Sequence, residues 1–169
     1  MTFLQRSGGQ IAWLILSLLG MAVSIYLTFV HYQGAPLVCS TGGLIDCESV
    51  LSSAYSLVPG TAIPITIPGL LWFIVSGGLA LLGWQFRPGE RRVLLAELVW
   101  AALGMLSVFY LVYAEVVALH KICAWCTVIH VTILVMLLLA VVQWQGASDD
   151  EAELEEEEEE QPSLPAKQG

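Results

Sequence analysis

The sequence predicts an all-α membrane protein: a four-transmembrane-helix bundle, capped on its extracytoplasmic side by a loop between helices 1 and 2. Composition is the first ground. Of 169 residues, 57% are hydrophobic and 12% charged, against about 25% charged in soluble domains, and mean hydropathy is +0.76. The second ground is four long apolar runs separated by short charged stretches. The third is where the charge sits. Ten of the fifteen acids fall within residues 149–160 and only Lys167 offsets them, so this tail carries the whole net charge of −9. The body, residues 1–148, holds five acids and five Lys/Arg and is neutral. Neither part is basic, which argues against nucleic acid as a partner. The length fits one membrane domain, residues 1–148, followed by an acidic tail, 149–169, expected to be disordered in the cytoplasm.

The spans follow in order. No acid or base lies between Arg6 and Asp46, and the apolar run at residues 11–32 fills that gap. At 1.5 Å per residue it crosses a hydrocarbon core of roughly 30 Å. It is longer than the apolar region of a signal peptide, about 7–15 residues, and is read as a retained span. The second span is expected at residues 68–86. The third, 93–119, carries Glu97 and Glu115 near its two ends. The fourth, 123–144, sits in an uncharged stretch from Ile122 to Ser148.

Four spans put both termini on one side. Arg6, Arg87, Arg91 and Arg92 fall on that side and only Lys121 on the other. The basic bias assigns the termini and the loop at residues 87–92 to the cytoplasm of an inner (plasma) membrane. Trp13, Trp84 and Trp144 then fall near the inner interface, and Tyr32, Tyr113 and Trp125 near the outer.

This orientation gathers all four cysteines on the outer face, where disulfides form and persist. Cys39 and Cys47 lie in the first loop, and Cys123 and Cys126 open the fourth span. Residues three apart share a helix face, so the sulfurs of Cys123-Ala-Trp-Cys126 can reach each other. The unpaired amides and the dipole at a helix N-terminus favour a thiolate, as a redox-active pair requires. A zinc site is the bland alternative, but Cys39 and Cys47 have seven residues between them, more than the two to four usual for zinc pairs. No metal is expected. A purely structural pair of disulfides, stapling a non-enzymatic scaffold, is the other alternative. The loop between Cys39 and Cys47 carries adjacent glycines and can flex. A movable loop disulfide above a fixed C-x-x-C suggests a relay. Asp46 is a candidate cap for a short helix over residues 48–53.

Disulfide exchange conserves oxidising equivalents, so the membrane pair needs an electron sink. The sequence has no Gly-rich phosphate loop for a flavin or nicotinamide. A lipid-soluble quinone, ubiquinone or menaquinone, reaches a sulfur at the membrane edge without a binding motif. Re-oxidising a DsbA-type partner, near −120 mV, calls for such a high-potential acceptor. His130 lies four residues after Cys126, one turn deeper on the same face, and is a candidate to bond a quinone oxygen or pass it a proton. Glu115 is a second candidate proton carrier, with an interfacial carboxylate as its simpler reading. His31 and His120 read as interfacial and solvated.

Loop cysteines at this spacing, the run Cys47-Glu-Ser-Val-Leu-Ser-Ser53, Ile63-Pro64 and Pro68-Gly69 before the second span, and Ile122-Cys-Ala-Trp-Cys126 together resemble the vitamin K epoxide reductase family, its bacterial members above all. The resemblance covers about residues 10–145. It implies a four-helix bundle around a quinone, capped by the first loop, with a separate thioredoxin-fold partner donating electrons to the loop pair. By position it assigns Cys39 to the partner, Cys47 to attack on Cys123, and Cys126 to the place next to the quinone. Ser53 matches a serine implicated near the family's active site. Vertebrate members carry a tyrosine where this chain has His130, and an asparagine near the start of the second span, where Ile65 or a neighbour stands. Both departures weigh against an epoxide substrate and leave quinone reduction intact. Vitamin K epoxide or quinone reduction proper is the alternative activity. The order of the two pairs is the reverse of that in DsbB, which also has four spans.

Overall fold

A computed structural model describes residues 3–34, 39, 43–86 and 90–160. Its elements are α1 (Phe3–Gln33), α2 (Cys47–Leu51), a short 3-10 turn (Ala54–Ser56), α3 (Thr66–Phe86), α4 (Arg91–Tyr113), a π-helical turn continuing it (Ala114–Ala118), and α5 (Ala124–Glu160). The four long helices contain membrane-length apolar spans at Gly8–Gln33, Thr66–Gln85, Arg91–Ala118 and Ala124–Asp149. The expected all-α four-helix membrane fold is therefore the one observed. The Arg87 end of the inner loop lies outside the described residues.

The helices close into a ring. α1 packs against α3 and α5, and α4 completes the circuit by packing against α3 and α5. Their outward faces keep large apolar side chains such as Leu18, Phe29, Leu106 and Leu138 exposed, as a lipid solvent allows. Inside, Trp13, Phe73, Ala101, Val108, Ile133, Met136 and Ala140 form the central core. Small residues set the helix spacing. A Cβ on Gly20 would stand 2.2 Å from the Phe73 ring, and one on Gly104 would stand 2.5 Å from Trp72. Bulk on one helix thus fills a gap left by glycine on its neighbour.

The α1 interior face is polar or small once per two turns: Gln10, Ser17, Ser24 and His31 are spaced by seven residues. Trp13, read as an interfacial residue, is wholly buried, and its Nε1–H donates to the Ser76 carbonyl at 3.2 Å. Trp100 Nε1–H donates to Ser76 Oγ at 3.1 Å, and its ring stacks on Trp72. Near the termini end, Glu97 is fully buried and accepts from Gln10 Nε2 at 3.2 Å, while Gly83 makes room for Gln10. Arg91 lies 5.0 Å over the Trp144 ring.

The acidic segment departs from expectation. α5 continues to Glu160, so residues 149–160 are helical here. Ala, Leu and Glu are strong helix formers, and the span supplies the costly first turn. Residues 161–169 lie outside the described residues.

Candidate redox centre at the mouth of the bundle

α4 does not end as a regular helix. Residues 114–118 widen into a π turn, in which Leu119 N–H donates to the Ala114 carbonyl at 2.9 Å. Such insertions often accompany functional sites. Here Glu115 is left only 5% exposed. Its carboxyl lies close to Cys123 and Cys126 at the start of α5. The turn stops at His120, whose φ of 52° is left-handed, a conformation His tolerates better than most residues. Its Nδ1 lies 3.0 Å from the Val116 carbonyl oxygen, so this histidine serves the helix end. Lys121 N–H then donates back to the Glu115 carbonyl at 3.0 Å.

The chain re-enters the bundle at Cys123. Its Sγ accepts from Cys126 N–H at 3.3 Å, the role a serine oxygen plays at other helix starts. Thr127 donates to the Cys123 carbonyl twice, from its amide at 2.9 Å and its hydroxyl at 3.0 Å. Cys123 and Cys126 are free thiols, the first buried and the second half-buried. The first loop descends onto them. Residues 40–42, on which part of the expected loop flexibility falls, lie outside the described residues. Gly43, at a left-handed φ of 72°, and Leu44 form a turn that leads into Ile45. Ile45 forms a parallel β-bridge with Ile122, through Asp46 N–H to the Ile122 carbonyl at 3.1 Å and Ile122 N–H to the Leu44 carbonyl at 2.8 Å.

Asp46 then caps α2, accepting from Ser49 N–H at 3.1 Å and Ser49 Oγ at 2.7 Å, as the sequence suggested. Those bonds, with a smaller contribution from Lys121, hold its carboxyl below the usual value. Cys47 opens α2 and is disulfide-bonded to Cys39, with Cα atoms 6.3 Å apart, within the range such bonds span. Cys47 and Cys123 are both 0% exposed and share one core with Val23, Leu27, Val50 and Leu51. Cys39, Cys126, Tyr26 and Trp125 pack around it. The four cysteines thus gather into one cluster, although 76 positions separate Cys47 from Cys123.

Beside the cluster is a cavity. Leu27, Val50, Leu51, Pro64, Ile65, Leu111 and Ala114 supply apolar walls, and Cys126, Glu115, His31 and Thr66 supply polar groups. The candidate site residues divide here. Cys126 and Glu115 line the cavity, whereas His130 and Ser53 do not. His130 is 8% exposed and its Nε2 has no hydrogen-bond partner among the described residues. α5 gives the cavity only Cys126, because the space opens toward α1, α2, α3 and the π turn. Ser53 Oγ donates to the Val50 carbonyl at 2.7 Å and so closes α2. Its neighbours Tyr55 and Ser56 reach the wall instead. His31, read as a solvated interfacial residue, lines the cavity. Its place seven residues beyond Ser24 in the inward-facing series was the available signal.

A cysteine pair held in a cap over a second pair at a helix mouth, beside an apolar cavity within a four-span bundle, defines a multi-pass membrane protein built for thiol chemistry. The family model described as the vitamin K epoxide reductase family matches residues 11–141, which contain all four spans' apolar cores and all four cysteines. The chain belongs to that family. Membership makes it a membrane oxidoreductase working between thiols and quinones in general terms. No curated protein matches the chain.

Proposed function

We propose that this protein is a disulfide-forming thiol:quinone oxidoreductase of an inner (plasma) membrane, with its termini cytoplasmic and its cysteines extracytoplasmic. It re-oxidises a separate thioredoxin-fold, DsbA-like partner through Cys39 and Cys47, and passes the electrons to Cys123 and Cys126. The observation that carries the reading is the shared core of Cys47 and Cys123 beside a cavity that Cys126 and Glu115 line. The basic residues at the termini end favour this sidedness.

The exchange balances within the chain. Starting from an oxidised membrane pair and a reduced loop pair, the Cys47 thiolate attacks Cys123 Sγ. The Cys123–Cys126 bond breaks, and Cys126 leaves as a thiolate. The Cys39 thiolate then attacks Cys47, forming Cys39–Cys47 and releasing Cys123. Two electrons have moved inward. The loop pair has lost two protons and the membrane pair has two sites to receive them. Cys126 N–H stabilises the Cys123 thiolate through its 3.3 Å bond.

The lining has the chemistry a quinone calls for: apolar side chains to meet a flat ring, together with a thiol and an acid. Leu27, Val50, Leu51 and Leu111 would hold the ring. A bound ubiquinone or menaquinone supplies a two-electron, two-proton acceptor for the dithiol. Glu115 is assigned the proton transfer, in preference to His130, because it lines the cavity together with Cys126.

The test uses purified protein, a reduced thioredoxin-fold dithiol and a soluble quinone analogue, with quinone absorbance followed over time. Turnover that disappears in Cys126→Ser is expected. Unchanged absorbance with intact, folded protein would overturn the proposal.

A further inference from the structure

Two short backbone segments, 43–46 and 121–122, run side by side just ahead of Cys47 and Cys123. Beyond the bridge itself, one side chain joins them. Lys121 Nζ donates to the Gly43 carbonyl at 2.9 Å and stands 3.6 Å from Asp46 Oδ2. It therefore grips the loop segment at both ends, spanning three residues. Its own backbone is anchored too, because Lys121 N–H donates to the Glu115 carbonyl. Lys121 thus connects the loop, the π turn that carries Glu115, and the start of α5. The mechanism above gives none of these contacts a task.

We propose that Lys121 is a positioning residue, the clamp that with the Ile45–Ile122 bridge keeps Cys47 docked on Cys123 for exchange between the two pairs. This rests on the oxidoreductase reading for its catalytic consequence, but the clamp itself is a geometric claim. Parallel pairing sends both chains in the same direction, so the residues that follow enter the same buried core. Cys47 and Cys123 do so. Cys39 lies before the clamped stretch and is the member of the loop pair that the ribbon does not tether. The division has a chemical use. The attacking sulfur must meet one sulfur of the membrane disulfide in line, whereas the sulfur that receives an outside partner needs freedom. The lysine's reach matters as much as its charge, because its two acceptors are a backbone carbonyl and a carboxylate three residues apart.

The first experiment is independent of turnover. In a Cys39→Ala, Cys126→Ala background only Cys47 and Cys123 remain, and mild oxidation with diamide should join them. Lys121→Met should slow that cross-link about tenfold, as the loss of charge-assisted bonds at a half-exposed site allows, and Lys121→Arg should restore it. Cross-linking at the unchanged rate in Lys121→Met would overturn the clamp.

The second experiment uses the full four-cysteine protein. Electrons delivered by a thioredoxin-fold dithiol must pass from Cys47 to Cys123, whereas dithiothreitol can reduce Cys123–Cys126 directly. Lys121→Met should lower partner-driven quinone reduction severalfold and leave dithiothreitol-driven reduction unchanged. An equal fall with both donors would mark a general structural role and refute positioning. If the parent protein turned over with neither donor while the cross-link still depended on Lys121, the oxidoreductase reading would fail and the clamp would stand.

Discussion

Glu115→Gln separates proton chemistry from packing at the redox centre. Glutamine keeps the volume and planar shape of the side chain at a position only 5% exposed. The start of α5 should be preserved, because the Cys126 and Thr127 bonds to Cys123 do not involve this side chain. What it loses is the ability to take a proton from the Cys126 thiol, with which it lines the cavity. A positioned general acid–base group contributes about 10²–10⁴ in rate. The lower end applies here, because Cys126 N–H already stabilises the Cys123 thiolate without help from Glu115. Quinone reduction should therefore fall about a hundredfold, or about 2.7 kcal/mol of barrier at 1.36 kcal/mol per decade. The assay is single-turnover quinone absorbance with the membrane pair pre-reduced, together with mixed-disulfide formation between Cys39 and a reduced partner. The first rate should collapse and the second should hold. Wild-type quinone kinetics in a folded Glu115→Gln protein would refute the assignment, and His130 would become the next residue to test.

Other outcomes follow from single contacts. Leu111→Trp puts an indole into the cavity wall and should raise the quinone KM at least about tenfold, with thiol exchange at the loop unaffected. Gly20→Ala sets a methyl 2.2 Å from the Phe73 ring, and overpacking of that kind costs about 1–3 kcal/mol, visible as a lower melting temperature in detergent. Asp46→Ala removes the α2 cap and one acceptor of Lys121, so protease nicking over residues 43–52 should increase. The same contribution depends on pH. The folded carboxyl lies below its ordinary value of 3.8, so the stabilisation is complete above that value and fades as pH falls below it. The nicking difference between Asp46→Ala and the parent should disappear in acid.

Much of the fold was legible because a bilayer imposes one rule. Every backbone polar group in hydrocarbon must be satisfied internally, so an apolar run of sufficient length is a helix. The second span begins at Thr66 rather than residue 68 and the fourth at Ala124 rather than Cys123, differences of a single turn or less. The cap at Asp46 was visible because capping is a local bond. Glu115 was legible as a candidate proton carrier from its place near a span's end, eight residues before Cys123. That it lines the cavity was decided by the π turn, whose one-residue offset no periodicity argument resolves. His130 and Ser53, also read as candidates, lie off the cavity wall. Spacing on a helix says which face a residue shares, but not where the neighbouring helices leave a space.

The residues alone determined the number of membrane crossings, the grouping of the cysteines at one end and the capacity of Cys123 and Cys126 for thiolate chemistry. Each follows from hydrophobicity, parity of crossings, or the local electrostatics of a helix start. Tertiary structure decided that Cys47 and Cys123 share one buried core, that Cys126, Glu115 and His31 line the cavity, and that Lys121 ties the cap to the bundle. Those depend on packing between segments far apart in sequence, and pairing across such distances is fixed by shape and burial rather than by any spacing along the chain.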